Sequence, residues 1–250
     1  MSENILAVLL LLICLGLMLY FGLHHRERRL RPVRSIPAVL RLRRALGLSV
    51  EDGKRLHISL GKSSLTSSNI SAALVGLSTL ERIAQMSMVS DRPPIATSGD
   101  PGLAILSQDT LRAAYRAGNA LDQYDATRGR LAGVTPLSYT AGAIPVARDE
   151  QVSAHVLVGN LGPEAGLLLQ AAEQQRAFSL AASDDLPAQA VMMAAAEEPL
   201  IGEEVYALPA YLNAGPMHQA SLHAQDVLRW VVIAVMVAGA ILKLFGINIL

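Results

Sequence analysis

The feature that most constrains this chain is a long apolar run near its N-terminus. From Ile5 to Leu23 the sequence reads ILAVLLLLICLGLMLYFGL, which is 19 consecutive residues without a charge. Because an α-helix rises about 1.5 Å per residue, such a run nearly spans the ~30 Å hydrocarbon core of a bilayer. No Lys or Arg precedes it and no small-residue cleavage motif follows it, which disfavours a cleaved signal peptide. We therefore predict that residues 1–23 form a transmembrane helix.

A second apolar segment, Trp230 to Leu250, lies at the other end of the sequence. Trp230 is typical of a membrane interface, where the indole contacts both water and hydrocarbon. Lys243, the one charged residue of the segment, lies about 20 Å further along a helix, so its ammonium group can reach the opposite interface. We predict that residues 216–250 form a helix that begins at Pro216 and continues into a second transmembrane span.

Arginine residues after the first apolar run predict the orientation in the membrane. Eight arginines and a single acid, Glu27, lie between His24 and Arg44. The positive-inside rule keeps such a segment in the cytoplasm. We therefore expect a protein of the inner (plasma) membrane, with both termini outside and the central domain cytoplasmic. The residues predicted to lie at the membrane interface are Arg26, Arg28, Arg29, Arg31, Arg34, Trp230 and Lys243.

A formal net charge of zero conceals a strong separation of charge along the sequence. Residues 24–55 carry a net charge of +7, and residues 56–226 carry a net charge of −8. We predict that 24–54 is a basic juxtamembrane linker, which is attracted to anionic headgroups and makes the lipid bilayer an expected partner. An acidic domain gains nothing from phosphate contacts, so nucleic acid is excluded as the main partner.

The composition argues against several kinds of site. The single cysteine, Cys14, falls within the first apolar run, which excludes an internal disulfide and a multi-cysteine metal site. His218 and His223 are five residues apart and would not share a helix face as metal ligands do. No GxSxG motif is present, and the acidic pairs have no histidine near them in sequence. We therefore expect no metal, no cofactor and no catalytic constellation.

The central segment, 55–215, alternates short apolar runs with longer helical patterns. Polar, glycine or proline residues separate the predicted strands from the predicted helices, and the strands are 56–60, 95–98, 153–158 and 177–181. Residues 131–146 show an alternating pattern around Tyr139, which predicts one or two further strands. Strands that alternate with helices indicate βαβ units. We predict an α/β fold, a mainly parallel sheet with helices on both faces, flanked by the two transmembrane helices.

Two of the predicted strands carry a similar pattern. His57-Ile-Ser-Leu-Gly61 resembles His155-Val-Leu-Val-Gly159, so both histidines would point the same way from their strands. Two interpretations remain open. The histidines are either ordinary hydrogen-bonded residues of the sheet, or they face one functional site.

Four strand-to-helix junctions are rich in Gly, Ser, Asn and Asp. In a parallel sheet they lie at the carboxyl edge, where ligands bind, and free N–H groups at helix starts favour anions. The alternative is that these residues serve only as helix caps. Gly61-Lys62-Ser63 resembles the end of a phosphate-binding loop but lacks the first glycine of that motif. The candidate anion- or ligand-binding residues are Gly61, Lys62, Ser63, Ser64, Ser98, Gly99, Asp100, Gly159, Asn160, Gly162, Ser183 and Asp184.

Three stretches of the central segment are distinctive: HISLGKSSLTSSNISAALVGL, RPPIATSGDPG and YTAGAIPVARDEQVSAHVLVGNLGPEAG. They resemble stretches of an uncharacterised family of bacterial integral membrane proteins that is classified only as a domain of unknown function. The resemblance covers most of the sequence from Leu56 to the C-terminal apolar segment. It implies a bacterial membrane protein, and it carries over no activity, ligand or catalytic residue.

Three functions are compatible with these patterns. Because no catalytic constellation is evident, we favour a two-span membrane protein whose cytoplasmic α/β domain is a scaffold or protein-interaction module. Its partner would be a second copy, in a homo-oligomer, or another membrane protein. The first alternative is a membrane-anchored sensor that binds a nucleotide or another small anion at the carboxyl edge of the sheet. The second alternative is an enzyme that acts on a membrane-proximal substrate.

Overall fold

The structure, a computed structural model, describes residues 2–24, 36–64 and 70–244. The chain divides into two compact units, Met1–Val33 with Gly215–Leu250 and Arg34–Ala214. The strands described are β1 (Arg55–Gly61), β2 (Ile95–Ser98), β3 (Gly129–Leu131), β4 (Val152–Asn160), β5 (Phe178–Ser183) and β6 (Glu198–Leu200). The helices described are α1 (Ser2–His24), α2 (Pro37–Glu51), α3 (Ile70–Met86), α4 (Pro101–Ala117), α5 (Pro136–Asp149), α6 (Ala165–Gln174), α7 (Leu186–Ala195), α8 (Glu204–Tyr211) and α9 (Pro216–Leu244).

All six strands pair in parallel, in the spatial order β3-β2-β1-β4-β5-β6. A helix joins each strand to the next, as parallel pairing requires. The sheet grows from β1 to β3 on one side and from β4 to β6 on the other, so the direction of winding reverses between β1 and β4. These observations confirm the predicted α/β fold and its parallel sheet.

The two faces of the central strand β1 differ in chemistry. Leu56, Ile58 and Leu60 pack into the larger hydrophobic core with side chains of α2, α3, α4 and α8. The alternate residues, beginning with Arg55, point to the opposite face of the sheet. Side chains of α5, α6 and α7 cover that face and form a second core around Leu157 of β4. Helices therefore cover both faces of the sheet, and β1 presents a polar row to the second face.

The prediction of one or two strands over 131–146 is wrong, because α5 occupies most of this segment. Thr135 and Ser138 form a reciprocal capping box at the start of α5, which is a strong signal for helix initiation. Tyr139 and Ala143 are both buried on one side of α5, as the four-residue spacing along a helix face requires. The alternation of Leu137, Tyr139, Ala141 and Ala143 is a short pattern that does not by itself distinguish a strand from a helix.

Part of the segment 24–54, which the sequence predicts to be a linker, belongs to the domain. Helix α2 buries Leu42 and Leu46 in the larger core, and Arg41 forms an ion pair with Glu198 of β6. The apolar residues of α2 recur at the spacing of an amphipathic helix, although the arginines between them resemble a solvated linker. The described part of this basic segment is therefore largely a packed helix.

The other compact unit contains α1 and α9, which pack against each other with the rings of Phe21 and His223 5.8 Å apart. Within the described residues, α9 is long and apolar enough to cross a membrane, and α1 contains a shorter apolar stretch, Ala7–Leu23. Trp230 and Lys243 lie on α9, and the side chain of Trp230 is exposed. Outside the described residues lie the other predicted interface residues, Arg26, Arg28, Arg29, Arg31 and Arg34.

Candidate functional site

The twelve predicted ligand-binding residues lie at one edge of the sheet, at or just after the ends of β1, β2, β4 and β5. In a parallel sheet all these ends share one edge. Gly99 N–H donates to Gly61 O at 2.7 Å, and Lys62 N–H donates to Asn160 O at 2.7 Å. The side-chain amide of Asn160 donates to the carboxylate of Asp184 at 2.7 Å. The structure thus joins residues of all four junctions into one continuous row.

This row includes the point at which the winding of the sheet reverses. Helix α3 follows β1 on one face, and α6 follows β4 on the other face. The loops after these two neighbouring strands therefore lead in opposite directions. In open α/β sheets, ligands bind in the crevice at such a switch point. Residues 61–64 and 159–162 accordingly hold the position that a ligand site occupies in this topology.

Lys62 and Glu164 face each other across the switch point. Lys62 Nζ lies 2.6 Å from Glu164 Oε1, and the two side chains are 21% and 9% exposed. Burial acts to raise the pKa of the Glu164 carboxyl, but hydrogen bonds from Lys62 and the backbone and the charge of Lys62 outweigh burial and lower the pKa. Glu164 is therefore ionised at neutral pH and neutralises the lysine.

Helix caps at this edge limit where an anion can bind. Asp100 accepts a hydrogen bond from Leu103 N–H at the start of α4, and Asp185 accepts one from Ala188 N–H at the start of α7. A carboxylate thus already occupies each of these positive helix ends. The junctions after β2 and β5 therefore contribute caps, and the junctions after β1 and β4 provide the better place for a ligand.

Ser63, in the junction after β1, has a buried hydroxyl group without a hydrogen-bond partner among the described residues. The residue is 2% exposed, and its Oγ makes no hydrogen bond within the described part of the chain. Nearly all buried hydroxyl groups in folded proteins have a hydrogen-bond partner. A ligand bound beside Lys62 would supply the partner that Ser63 lacks.

A row of buried polar side chains runs along the face of β1 that α5 covers. His57 Nε2 lies 2.9 Å from Thr97 Oγ1, which lies 3.2 Å from the Tyr139 hydroxyl oxygen. The same tyrosine oxygen lies 2.5 Å from Ser59 Oγ and accepts a hydrogen bond from Gly61 N–H at 3.4 Å. A hydrogen-bonded chain therefore connects the centre of the sheet with the switch point.

The inner end of this chain is a pair of histidines. His57 of β1 and His155 of β4 are partners in the sheet register, both are buried, and their Nδ1 atoms are 3.1 Å apart. Because one of these nitrogens must donate, we assign the proton to Nδ1 of His155. This assignment lets His57 donate to Thr97 and leaves Nε2 of His155, which has no partner within the described residues, as an unpaired acceptor. Unpaired acceptors are less rare in folded proteins than unpaired donors.

Both histidines are neutral at neutral pH. Burial lowers the pKa of His155 to about 4. Burial, with the charges of His155 and Arg130, lowers the pKa of His57 well below its ordinary value. The two histidines point the same way and contact each other within the sheet, which favours the interpretation as hydrogen-bonded sheet residues.

Several residues of this face were not singled out from the sequence, namely Thr97, Tyr139, Arg130 and Glu150. Glu150, at the end of α5, lies 2.8 Å from Arg130 and 3.2 Å from Arg55. One sequence signal was available, because polar and apolar residues alternate in the strand RLHISLG. Central parallel strands are usually apolar on both faces, so this alternation indicates a buried polar face. Its partners come from remote elements that no local pattern marks.

The side chains at the switch point are suited to binding an anion. Lys62 supplies positive charge, Ser63 supplies a hydroxyl group, and Glu164 competes for the lysine. Burial raises the pKa of Tyr139, so the phenol remains protonated beneath this edge. Within the described residues, no group of three or more His, Cys, Asp or Glu side chains is placed to hold a metal ion.

A comparison with protein families gives one match. The model of the family described as "Domain of unknown function (DUF6754)" matches residues 1–250. Neither the curated proteins nor the solved structures include a match to the chain. The family model covers the terminal apolar segments as well as the α/β domain, which agrees with the resemblance to a domain of unknown function. Because the match spans the whole sequence, the chain belongs to the DUF6754 family.

Proposed function

We propose that this protein is a membrane-anchored sensor whose α/β domain binds a small anionic ligand, such as a nucleotide, at the switch point between β1 and β4. The observation that carries the proposal is the ion pair of Lys62 and Glu164 at the point where the winding reverses. Switch points are the usual ligand crevices of open α/β sheets. Lys62 offers the charge that an anion requires, and Ser63 offers a hydroxyl group without a hydrogen-bond partner among the described residues.

Ligand binding at this point exchanges one anion for another. Glu164 holds Lys62 in the structure, so an incoming phosphate group displaces the Glu164 carboxylate from Nζ. A phosphate group carries more negative charge than a carboxylate and accepts more hydrogen bonds, which favours the exchange. Glu164 is also the residue that precedes α6. Its carboxylate accepts a hydrogen bond from Gly162 N–H at 3.3 Å, so displacement of Glu164 links occupancy of the site to the conformation of the junction before α6, as a sensor requires.

Variants of the ion pair test this proposal through opposite expected effects. The probes are ATP and inorganic phosphate, and the readout is the thermal unfolding midpoint of the full-length protein in nonionic detergent as probe concentration rises. Glu164→Gln removes the competing charge and is expected to tighten binding about tenfold. Lys62→Met removes the binding charge and is expected to weaken binding about tenfold or more.

Two variants of the same residue types serve as matched controls. The first is Glu173→Gln, on helix α6, which follows Glu164. The second is Lys54→Met, just before β1 and so at the end of that strand remote from Lys62. Both side chains are exposed. We expect both variants to bind the probes as the unmodified protein does. The proposal is wrong if neither probe stabilises the protein saturably, or if Glu164→Gln weakens binding as Lys62→Met does.

We also propose that α1 and α9 anchor the domain in the inner membrane, with the domain in the cytoplasm and both termini outside. The length and apolar character of α9 support a membrane span. The arginines that follow α1 in sequence support a cytoplasmic domain.

A reporter enzyme that is active only outside the cytoplasm tests this topology. Fused after Leu250, the reporter is expected to be active in cells. Fused after Ala214, with α9 removed, it is expected to be inactive, because the polypeptide then ends on the cytoplasmic side. An inactive fusion after Leu250, together with a fluorescent cytoplasmic fusion at the same position, would contradict the two-span topology.

A second candidate function, a protein-interaction module, is supported by exposed leucines. Leu137, Leu167 and Leu186 lie in the first turns of α5, α6 and α7 and are 69%, 46% and 76% exposed. Because these helices are neighbours on one face, the three side chains lie toward the same edge of the sheet. Exposed apolar side chains that share one edge of a domain are suited to protein contacts. Absence of a response to both probes would favour this function, with a second copy or another membrane protein as the partner.

A further inference from the structure

A cavity of about 310 Å³ lies between α5 and the strands β2 and β3. Its volume is at the lower end of the range of ligand pockets, about 300–1,000 Å³. None of the described residues that line it belongs to the switch point. The residues that line it include Thr97, Arg130, Ala132, Pro145, Val146 and Asp149.

Positive charge exceeds negative charge in the arginine cluster at one end of the cavity. The carboxylate of Glu150, which also lines the cavity, lies 2.8 Å from Arg130, 3.2 Å from Arg55 and 3.7 Å from Arg128. The buried Nε of Arg128 lies 3.2 Å from Asp125 Oδ2, an ion-pair contact that lacks the geometry of a hydrogen bond. Three guanidinium groups therefore share two carboxylates in the cluster, whereas the charged residues that line the cavity itself are Arg130, Glu150 and Asp149.

Repulsion within the arginine cluster is evident at Arg55. Burial lowers the pKa of this guanidinium, and the charges of Arg128, Arg92 and Arg130 lower it further, while Glu150 opposes them. A further anion beside these side chains would reduce the repulsion. The cluster is thus suited to attract a negatively charged group to the Arg130 end of the adjoining cavity, away from Asp149.

The remaining wall of the cavity indicates the chemistry of the part of the ligand that does not contact the arginines. Ala132, Pro145 and Val146 present apolar surface. Thr97 already lies in hydrogen-bond contact with His57 and Tyr139, so it adds little capacity for a second polar group. A complementary ligand therefore has one anionic group and a short hydrocarbon part.

We propose that this cavity binds a small organic carboxylate, whose carboxylate group pairs with Arg130 while its hydrocarbon part contacts Ala132, Pro145 and Val146. A planar guanidinium group can bind both oxygens of a carboxylate, which a lysine cannot match. Glu150 already shows that the arginine cluster accepts a carboxylate. Asp149, exposed at the cavity wall, opposes the ligand charge and limits affinity. This site is separate from the switch point and does not rest on the proposed function.

Equilibrium dialysis of the full-length protein against radiolabelled butyrate, in nonionic detergent, tests this proposal. We expect saturable binding of butyrate to a single site on each chain. Butyramide, the uncharged analogue, is expected not to compete. Arg130→Gln is expected to weaken butyrate binding about tenfold or more, because the pairing charge is lost. Asp149→Asn is expected to tighten binding several-fold, because the opposing charge is lost.

Two variants remote from the cavity wall are the matched controls. Arg116→Gln changes an exposed arginine of α4, and Lys62→Met changes the switch point, and both are expected to bind butyrate normally. Thermal unfolding checks that Arg130→Gln is folded, and the exposed Asp149→Asn provides an independent test if it is not. The proposal is overturned if butyramide competes as well as butyrate, if Asp149→Asn fails to tighten binding, or if Lys62→Met abolishes it.

Discussion

Acidification from about pH 6.5 to about pH 4.5 is expected to destabilise the folded domain by roughly 3 kcal/mol or more, through His57 and His155. Both rings are buried in the sheet, and their hydrogen bond requires that at least one of them accept at Nδ1. Protonation would place positive charge in an environment that solvates it poorly. The folded state therefore resists protonation until the pH is far below the range in which exposed histidines titrate.

The sign of this effect follows from proton binding in the two states. In the unfolded chain these histidines bind protons near their ordinary pKa of 6.5, whereas the pKa of His155 in the folded chain is about 4. Between these values the unfolded state binds more protons, so stability falls as pH falls. Glu150 and Glu164 have lowered pKa values, so their stabilising contributions are lost only below their ordinary pKa of 4.5.

Urea unfolding of the full-length protein in nonionic detergent measures this loss of stability between about pH 6.5 and about pH 4.5. His155→Asn removes one titrating ring and should lose clearly less stability over this interval than the unmodified protein. His218→Gln, which changes a histidine of α9, should leave the loss unchanged. Glu164→Gln should alter the pH dependence only below that interval. A loss in His155→Asn as large as in the unmodified protein would contradict the assignment to the histidine pair.

Gly61→Ala is expected to destabilise the domain by about 3 kcal/mol. Gly61 has a φ of +72°, and a Cβ atom there would lie only 2.2 Å from the backbone oxygen of Asn160. A left-handed conformation costs a residue other than glycine roughly 1–2 kcal/mol. The oxygen can withdraw only if β1 and β4 separate, which would stretch the 2.7 Å hydrogen bond from Lys62 N–H to that same oxygen.

Gly53→Ala separates the cost of the left-handed backbone conformation from the cost of the close contact with Asn160. Gly53 also has a positive φ, +62°, but a Cβ atom added there would have no neighbouring atom within 4 Å. This variant should therefore show only the conformational cost. Urea unfolding at neutral pH is expected to place Gly61→Ala at least about 1 kcal/mol below Gly53→Ala in stability. Equal losses would show that the close approach of the two strands at Gly61 contributes nothing.

The α/β fold was predictable because its signals are local. The strands around His57 and His155 are short apolar runs that end at glycine or one residue beyond it, and helices follow them in the chain. The pairing of these strands was not predictable from the same signals. Strand order depends on which hydrophobic faces meet after the chain has closed long loops, and local periodicity carries no information on that choice.

The location of the candidate residues was predictable, although their partners were not. All twelve candidate residues lie at the carboxyl edge, since junctions that follow parallel strands share one edge. Glu164, the partner of Lys62, was missed because the two side chains meet only when β4 lies beside β1 in the sheet. Tyr139 was missed because its segment was predicted to be a strand, whereas the capping box at Thr135 starts a helix.

By itself, the sequence determined the apolar terminal segments, the alternation of strands with helices and the separation of charge, because these follow from composition and short-range periodicity. Only the tertiary structure decided that β1 lies beside β4. That pairing places His57 against His155, 98 residues away in sequence, and Lys62 opposite Glu164. The arginines around Glu150 likewise come from separate parts of the chain. Register between distant strands arises from the packing of whole faces, which no local segment encodes.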